Sequence, residues 1–269
     1  MLEIKNLSII YKKDDQIIQA VDDVSLKVPD GKTLGLVGES GSGKSTVALS
    51  ILRLLPANSE ITSGEIIWDG LDILRLGNGH LRILRGGEIA MIFQDPFSSL
   101  NPVFTVGDQI SEAVKLHQRG TGSGKRPACR RGRERVFELL ELVHLKAEVI
   151  GKYPHELSGG MRQRAMIAMA LAGGPKLLIA DEPTTSLDVT IQAEILKLLK
   201  EIQSKLGMSI IFITHNLALV YGFCDSVSIM RQGRIVEEGN IEEIFKNSRT
   251  DYTKELIAAI PRPKWGIDA

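Results

Sequence analysis

The stretch LGLVGESGSGKST, residues 34–46, constrains the fold of this chain more than any other part of the sequence. It begins as an apolar run typical of a buried strand, turns through three glycines, and continues into VALSILRLL, whose apolar residues have helical spacing. Gly38, Gly43, Lys44 and Ser45 fill the pattern G-x-x-x-x-G-K-[ST] of the phosphate-binding P-loop. Strand, loop, Lys-Ser and helix together favour this interpretation over a flexible glycine–serine turn.

Each part of the P-loop pattern has a chemical task in binding a nucleoside triphosphate. Glycines let the backbone curl so that successive N–H groups point at phosphate oxygens, and the N-terminus of the following helix adds a favourable partial charge. We expect Lys44 to reach the β- and γ-phosphates and the Ser45 hydroxyl to ligate Mg²⁺. The candidate phosphate-binding residues are Gly38, Glu39, Ser40, Gly41, Ser42, Gly43, Lys44, Ser45 and Thr46.

The composition is that of a globular protein with a neutral charge balance. The chain has 269 residues, enough for one large α/β domain or two small ones, and 43% of them are hydrophobic. The 33 Lys and Arg residues balance the 33 Asp and Glu residues, which gives no general preference for nucleic acid or an anionic membrane. The two cysteines, Cys129 and Cys224, are too few for a disulfide framework and fit a reducing cytoplasm.

The sequence predicts neither a secretory signal nor a membrane span. Met1 leads directly into the alternating, strand-like LEIKNLSII. The longest run without acidic or basic residues, 206–224, contains serine, threonine, histidine and asparagine, so a buried strand followed by a loop is favoured there. We therefore expect a soluble chain whose membrane role, if it has one, is supplied by a partner.

Hydrophobic periodicity predicts an antiparallel β start followed by alternating helices and strands. The predicted β segments are 2–11, 16–28, 64–74, 89–93, 176–180, 209–214 and 227–239. Besides the helices after the P-loop and after LSGGM, the predicted helices are 106–117, 136–145, 191–206, 241–245 and 252–260. Breaks are predicted at 14–15, 29–31 and 56–63, and the Arg- and Gly-rich segment 119–135 is predicted to be a solvated surface.

The surface segment 119–135 contains a second GSGK, at residues 122–125. A P-loop there would need glycine at position 119 and serine or threonine at position 126, but both positions are arginine. We therefore assign it no phosphate-binding role.

Acidic residues follow the apolar run LLIA at the end of a predicted strand. In open α/β sheets, ligands bind beyond the carboxyl ends of the strands, so Asp181 and Glu182 are placed to meet the P-loop. We expect Asp181 to hold Mg²⁺, directly or through water, and Glu182 to act on the attacking water as general base or by positioning it. An ordinary acidic turn is the alternative, and the P-loop makes it less favoured.

His215 ends another apolar strand, SIIFIT, and could lie beside the acidic pair. There a histidine could hydrogen-bond the γ-phosphate and hold Glu182 in place, although a lone histidine at a strand end is more often structural. No chemistry is assigned to the residues without ligand-like spacing, which are Cys129, His80, His117, His144 and His155.

The stretch LSGGM, residues 157–161, distinguishes this chain from a generic P-loop ATPase. Ser158, Gly159 and Gly160 precede a helix and form a second anion-binding helix N-terminus without a lysine. One nucleotide does not need two such sites from the same chain. Two chains facing head to tail could each contribute one to each nucleotide, and hydrolysis would then release the pair.

Taken in order, these motifs resemble those of the ATP-binding cassette (ABC) family along essentially the whole chain. The residues that carry the resemblance are Gly38–Thr46, Gln94, Leu157–Met161, Ile179–Glu182, Ser186-Leu187-Asp188 and His215. The resemblance implies an α/β fold with a P-loop NTPase (RecA-like) core, an N-terminal antiparallel β subdomain and an inserted α-helical signature subdomain. It implies one nucleotide-binding domain over 1–269, with the helical subdomain at approximately 96–172 and a C-terminal helical tail at 241–269.

The resemblance also implies roles for single residues. Tyr11, at the end of the first predicted strand, looks like the aromatic residue that stacks on adenine. Gln94 looks like the glutamine that senses the γ-phosphate, ligates Mg²⁺ beside the P-loop serine and moves against the membrane subunit. Asp188 looks like the aspartate that couples the two sites of a dimer. The residues that resemble those gripping the ATP of the partner chain are Leu157, Ser158, Gly159, Gly160 and Met161.

Finer details are similar to the importers of oligopeptides, dipeptides and nickel. They are VGESGSGKS, FQDPFSSLNP, LSGGMRQR, ADEPTTSLD and YTKELIAAIP. Members of the peptide group often carry a cysteine-bearing tail that holds an iron–sulfur cluster. Because no cysteine follows Cys224, we expect no such cluster, and this favours the shorter members, nickel importers included.

The resemblance implies a particular assembly. It consists of a second, related but different ABC ATPase, two transmembrane permease subunits and a separate solute-binding protein, with this chain on the cytoplasmic face of the membrane. A soluble ABC ATPase of DNA repair or translation is the alternative. A single cassette, the lack of a long coiled-coil insertion and the neutral charge argue against it and against a nucleic-acid partner.

Overall fold

The computed structural model describes residues 1–13, 16–95, 99–118, 128–185 and 187–260. In chain order, its strands are β1 Leu2–Lys13, β2 Gln16–Val28, β3 Thr33–Val37, β4 Ser59–Trp68, β5 Leu71–Asp72, β6 Ile89–Ile92, β7 Leu177–Asp181, β8 Ser209–Thr214, β9 Ser226–Arg231 and β10 Arg234–Asn240. Its α-helices are α1 Lys44–Ile51, α2 Asn78–Gly87, α3 Val106–Gln118, α4 Ala128–Leu142, α5 Gly159–Ala170, α6 Val189–Leu206, α7 Leu217–Tyr221, α8 Ile241–Asn247 and α9 Asp251–Ala258.

The larger sheet has six strands in the order β10-β9-β3-β8-β7-β6. Five of them are parallel to their neighbours, and β10 pairs with β9 in antiparallel fashion as the predicted late hairpin. Parallel strands need crossover connections, which in this chain contain the longer helices. The mostly parallel sheet is the α/β core that the sequence predicts.

The smaller sheet is antiparallel and has the order β2-β1-β4-β5. β1 pairs with β2 on one side and with β4 on the other, so the first thirty residues form the predicted antiparallel start. Leu2, Ile4, Leu7 and Ile9 of β1 are buried, which turns one face of this sheet toward the larger one.

The larger sheet separates two hydrophobic clusters. On β8, Ile211 and Ile213 belong to the cluster that includes the smaller sheet, whereas Ile210 and Phe212 belong to the cluster that includes α3–α6. Successive side chains of a strand point to opposite faces, so a strand buried on both sides is apolar throughout. This explains why β3, β7 and β8 read as continuous apolar runs.

The parallel strands end together at one edge of the sheet. Val37 of β3 lies opposite Thr214 of β8, and Asp181 of β7 lies opposite Ile213. The segments that follow these three strands therefore begin next to one another, as their position after apolar runs predicts.

Two helices end earlier than their apolar patterns predict. α1 stops at Ile51, and Arg53 beyond it has a φ of 50°. α4 stops at Leu142 rather than at residue 145, and His144 has a φ of 56°. Left-handed residues end helices because the backbone cannot continue the right-handed turn. The apolar residues that follow these points continue the helical spacing in the sequence, but they lie outside the helices.

Two elements begin earlier than predicted. β4 starts at Ser59, opposite Tyr11, so the predicted break at 56–63 is only 56–58. α4 starts at Ala128 instead of residue 136, which means that the second half of the predicted surface segment 119–135 is helical. Arginine, glutamate and alanine are good helix formers, and this preference outweighs the polar composition.

Some predictions fall on residues outside the described ones: the turn at 14–15, the GSGK at 122–125 and Ser186. Within the described ranges, no helix combines the length and the apolar character needed to cross a membrane.

Candidate active site

The P-loop connects β3 to α1 and is packed against distant parts of the chain. Gly43 precedes α1 with a φ of 102°, a conformation that favours glycine. A Cβ atom at Gly43 would overlap the carbonyl oxygen of Ala20, and one at Gly38 would overlap that of Met230. Both glycines are therefore required by close backbone approach. Within the loop, Glu39, Ser40 and Gly41 are exposed, whereas Ser42 is buried.

Lys44, the predicted phosphate ligand, lies folded into the P-loop. Its Nζ donates hydrogen bonds to the carbonyl oxygens of Gly38 at 2.8 Å and of Glu39 at 2.7 Å, and the residue is only 4% exposed. Burial lowers the pKa of the Lys44 ammonium, while the nearby carboxylates of Glu182 and Asp181 act in the opposite direction. The Lys44 ammonium is thus held within the loop in which phosphate oxygens are expected to bind.

Ser45 and Asp181 bring two oxygen atoms together where α1 begins and β7 ends. The Ser45 hydroxyl donates to Asp181 Oδ1 at 3.1 Å. Burial raises the pKa of the Asp181 carboxyl, the hydrogen bond from Ser45 lowers it, and Glu182 raises it further. A cation at this point would relieve the burial of the carboxylate, since hard cations such as Mg²⁺ bind oxygen ligands.

The Glu182 carboxylate is the centre of the site. Gln94 Nε2 donates to its Oε2 at 3.2 Å, Thr185 Oγ1 donates to the same oxygen at 2.9 Å, and His215 Nδ1 lies 3.2 Å from Oε1. Glu182 also has a φ of 47°, which is unusual for a residue with a side chain and corresponds to a strain of about 1–3 kcal/mol. Three segments and a strained backbone therefore hold one carboxylate.

Thr185 is the residue of this group to which the sequence assigns no role. It follows the acidic strand end within the stretch ADEPTTSLD, but neither its type nor its spacing predicts a contact with Glu182. The tight turn after β7, in which Thr185 N–H donates to the Glu182 carbonyl, brings the two side chains together.

Tyr11 lies beside the P-loop, two residues before the end of β1 rather than at its end. Its hydroxyl is 3.2 Å from Thr46 Oγ1, and its side chain is half-buried. An aromatic ring therefore stands next to the start of α1.

The stretch Leu157–Met161 forms the predicted helix N-terminus, at the start of α5. Ser158 is exposed, and its Oγ accepts a hydrogen bond from Met161 N–H at 3.4 Å, as an N-cap residue does. A Cβ at Gly160 would lie 2.9 Å from a methyl carbon of Ile191, on the neighbouring helix α6. Asp188 caps α6 by accepting from Ile191 N–H at 3.0 Å. The signature stretch and Asp188 are therefore neighbours.

A glycine-rich strand-to-helix loop with a buried lysine, facing an acid pair at an adjacent strand end, defines the class of P-loop nucleoside triphosphatases. Comparison with known families gives the narrower assignment, because residues 21–185 match the family described as ABC transporter. The chain belongs to this family, and it is an ATPase.

Relatives cover nearly the whole chain. It is 48% identical over 263 residues to BAB2_1052 of Brucella abortus (strain 2308), a provisionally named peptide import ATP-binding protein, covering 97% of this chain and 77% of that protein. It is also 48% identical over 265 residues to the peptidoglycan transport ATP-binding protein YejF of Agrobacterium fabrum (strain C58 / ATCC 33970). That match covers 97% of this chain but 47% of YejF, so the chain spans about half of that relative.

Solved structures share the fold. The ATP-binding cassette MJ0796, in a dimeric post-hydrolysis state bound to ADP and Pi, aligns with a TM-score of 0.77 and 30% identity, over 90% of this chain and 99% of that one. The cbiO1 protein of Clostridium perfringens, part of the ABC transporter complex cbiONQ, aligns with a TM-score of 0.76 and 30% identity over 97% and 96% of the two chains. The predicted P-loop NTPase fold class is confirmed.

Proposed function

We propose that this chain is the ATP-hydrolysing subunit of a peptide importer and acts on the cytoplasmic face of the membrane. The observation that carries the proposal is the set of contacts around Glu182, in which Gln94, Thr185 and His215 hold one carboxylate beside the P-loop. The relatives named for peptide import and peptidoglycan transport support the transport role and its substrate class.

In this proposal, Glu182 acts on the water that attacks the γ-phosphate. Two side chains donate to Oε2 and His215 lies against Oε1, so the carboxylate is oriented before substrate arrives. His215 is half-exposed and can also reach the γ-phosphate from the same edge. Gln94 is exposed and senses that phosphate while it remains in contact with Glu182.

The P-loop residues Gly38–Thr46 bind the triphosphate, and Tyr11 stacks on adenine. In this arrangement the loop N–H groups and the Lys44 ammonium bind the phosphates, and the half-buried Tyr11 ring, whose hydroxyl lies 3.2 Å from Thr46 Oγ1, receives the adenine. Each group is held before binding, by Gly38 and Glu39 carbonyls for Lys44 and by Thr46 for Tyr11.

Mg²⁺ fits the oxygen pair of Ser45 and Asp181, which lie 3.1 Å apart at the mouth of the P-loop. We propose that these two residues hold the ion and that Gln94, whose amide contacts Glu182 at 3.2 Å, is a third ligand. When bound, Mg²⁺ would neutralise charge that develops on the phosphates. The raised pKa of Asp181 is consistent with a carboxylate whose burial needs a cation.

A head-to-tail pair of cassettes is part of the proposal. Ser158, which is exposed at the N-terminus of α5, and Gly160 contact the γ-phosphate of the ATP bound by the other chain, together with Leu157, Gly159 and Met161. Asp188 caps the helix that packs on Gly160 and so couples the two sites. The dimeric cassette MJ0796 supports a paired arrangement. We propose that the second cassette here is a related but different chain.

The remaining partners follow from the transport role. They are two transmembrane permease subunits and a separate solute-binding protein, and the name of the cbiO1 complex supports assembly with membrane partners. We propose that residues of approximately 96–172 form the helical subdomain that moves with Gln94 against the permease, and that α8 and α9 belong to a C-terminal tail over 241–269, whose residues 261–269 lie outside the described ones. Nickel is the alternative solute, and the names of the relatives favour peptides.

Replacing the proposed base separates binding from hydrolysis. Glu182→Gln keeps the shape of the side chain and removes its charge, so we expect ATP affinity to persist while turnover falls by roughly 10²–10⁴-fold. The ATP-bound variant should also accumulate as a dimer, measured by size-exclusion chromatography with light scattering. Glu242→Gln, an exposed glutamate paired with Lys246 on α8, is the matched control. Unchanged turnover in Glu182→Gln would remove Glu182 from the role of base.

The transport role is tested by assembly and stimulation. The full chain is purified in mild detergent with candidate permease subunits, and ATPase activity is measured with a candidate solute-binding protein and either peptides or Ni²⁺. Stimulation by peptides supports the proposal. Stimulation by Ni²⁺ alone would mean that the imported solute is nickel rather than a peptide. A chain that purifies without permease and responds to neither would contradict the importer assignment.

A further inference from the structure

The C-terminal helix α9 contacts the P-loop directly. Glu39 N–H donates a hydrogen bond to the Tyr252 hydroxyl at 3.3 Å, across 213 positions of sequence. The carbonyl oxygen of the same residue accepts from Lys44 Nζ at 2.7 Å. Glu39 is therefore held at its N–H by the C-terminal helix and at its carbonyl by the P-loop lysine.

Tyr252 is itself held firmly. It is 6% exposed, and the guanidinium carbon of Arg231 lies 4.5 Å from the centre of its ring. Such a cation–π contact favours one orientation of the ring. Burial raises the pKa of the Tyr252 hydroxyl, and a side-chain hydrogen bond with Glu39 acts in the same direction.

The helix that carries Tyr252 is anchored to β10 by one carboxylate. Glu237 accepts hydrogen bonds from Arg249 N–H at 2.7 Å, Thr250 N–H at 3.1 Å and Thr250 Oγ1 at 3.0 Å. Thr250 is the N-cap of α9 and accepts from Thr253 N–H. The position of the Tyr252 hydroxyl is thus determined by a chain of specific bonds.

The late part of the chain supports the P-loop at other points as well. Gly233 N–H, in the turn between β9 and β10, donates to the Ser42 carbonyl at 3.0 Å. Gly38 packs against the Met230 carbonyl. Arg231 lies between Met230 and Gly233 in sequence, and its guanidinium contacts the Tyr252 ring. Strand β9 and helix α9 therefore form one continuous support behind the loop.

We propose that Tyr252 is a positioning residue for nucleotide binding, which makes α9 a functional part of the phosphate-binding site. Its hydroxyl fixes the first turn of the P-loop through Glu39, so that ATP does not have to order this turn when it binds. The inference rests on the proposed role of Gly38–Thr46 in phosphate binding. It also predicts that any partner or segment that moves α9 will change the affinity for ATP.

The test removes a single hydroxyl. Tyr252→Phe keeps the ring and its contact with Arg231 but leaves the Glu39 N–H without this acceptor. We expect ATP affinity in the presence of Mg²⁺ to weaken by roughly two- to tenfold, the range of one hydrogen bond. We also expect faster amide hydrogen exchange in the peptide that contains Glu39, measured by mass spectrometry on the full chain without nucleotide.

Tyr221→Phe is the matched control. The Tyr221 ring packs against Phe245 and the side chain is 45% exposed, so losing its hydroxyl should change neither readout. The proposal is supported if only Tyr252→Phe shows faster exchange and weaker binding, with the midpoint of thermal unfolding unchanged. It is overturned if Tyr252→Phe binds ATP as the wild type does, or if its weaker binding accompanies a general loss of thermal stability. A wild-type chain that bound no ATP would instead contradict the proposed function.

Discussion

The two glycine-rich helix N-termini of this chain differ in what surrounds their glycines. In the P-loop, Gly38 and Gly43 approach carbonyl oxygens of distant backbone, which cannot move aside. In the signature stretch, Gly159 and Gly160 approach side-chain methyl carbons of Leu187 and Ile191 instead. The glycines of the P-loop are therefore packed against backbone, whereas those of the signature stretch are packed against side chains.

Their polar residues differ in the same sense. Lys44 is buried and bonded to two carbonyl groups of its own loop. Ser158 is exposed, and its hydroxyl accepts from the N–H of Met161, one turn into its own helix. A loop that is complete within one chain can bind ATP in that chain, and a loop that faces outward is suited to a ligand brought by another. This difference is the physical basis of the proposed head-to-tail pair.

Replacing the polar residue of each loop should affect different quantities, ATP affinity for the P-loop and turnover for the signature stretch. The loss of affinity is the largest effect that we expect. Lys44→Ala removes the cation that we propose binds two phosphates, so ATP affinity of the isolated chain should fall by roughly 10²–10⁴-fold. Ser158→Ala should leave that affinity unchanged and lower turnover of the assembled transporter. Titration calorimetry measures the first quantity and phosphate release the second. Equal ATP affinity in Lys44→Ala and wild type would contradict the P-loop assignment.

Adding one methyl group to each loop tests the difference in packing. Gly38→Ala should destabilise the fold by about 1–3 kcal/mol, because the Met230 carbonyl cannot retreat, and it should weaken ATP binding. Gly160→Ala should destabilise the fold less than Gly38→Ala does, because alanine favours helices and the contact at Gly160 is with a side-chain methyl of Ile191 at 2.9 Å rather than with backbone. Urea unfolding of both variants measures this. Equal destabilisation would mean that the two loops are packed alike.

The sequence predicts the edge that holds the candidate active site well, because its residues stand at the ends of buried strands. Asp181 and His215 each come at the end of an apolar run, and parallel strands end at a common edge. Their meeting with the P-loop is therefore a consequence of fold class. The N-terminal antiparallel start is also predictable from its apolar alternation, although register shifts interrupt the pairing of β1 between Ile4 and Ile10.

The remaining contacts depend on packing between segments far apart in sequence. Thr185 and Tyr252 each bond a site residue, but the turn after β7 and the docking of α9 determine those contacts. Nothing in residue type or spacing indicates them. The start of α4 is also unpredictable from composition, because an arginine-rich segment is equally polar whether it forms a solvated loop or a helix.

Tyr11 extends the comparison to the rim of the P-loop, where the effect should be smaller. If its ring stacks on adenine, Tyr11→Ala should weaken ATP binding by about 1–3 kcal/mol. Tyr11→Phe keeps the ring and loses only the contact with Thr46, so it should retain most of the affinity. Titration calorimetry compares the two variants. An unchanged affinity in Tyr11→Ala would make Tyr11 an ordinary strand residue.

Glu237, which anchors α9, supports the P-loop indirectly through Tyr252. We expect the smallest effect here, a dependence of stability on pH. Burial alone would raise the pKa of Glu237, but hydrogen bonds from Thr253, Arg249 and Thr250 lower it to about 2. Glu237 lines a surface cavity, and the other charged residues that line it are Asp23, Glu238 and Arg249.

Because the folded-state pKa of Glu237 lies below the ordinary value of 4.5, its contribution to stability is complete above about pH 4.5 and is lost as the pH falls toward 2. The difference in unfolding free energy between wild type and Glu237→Gln should therefore be constant from about pH 8 to 5 and shrink only below that range. Urea unfolding across this range measures it. A difference that already shrank near neutral pH would mean that the hydrogen bonds do not keep Glu237 ionised, and that the support behind the P-loop responds to pH within the physiological range.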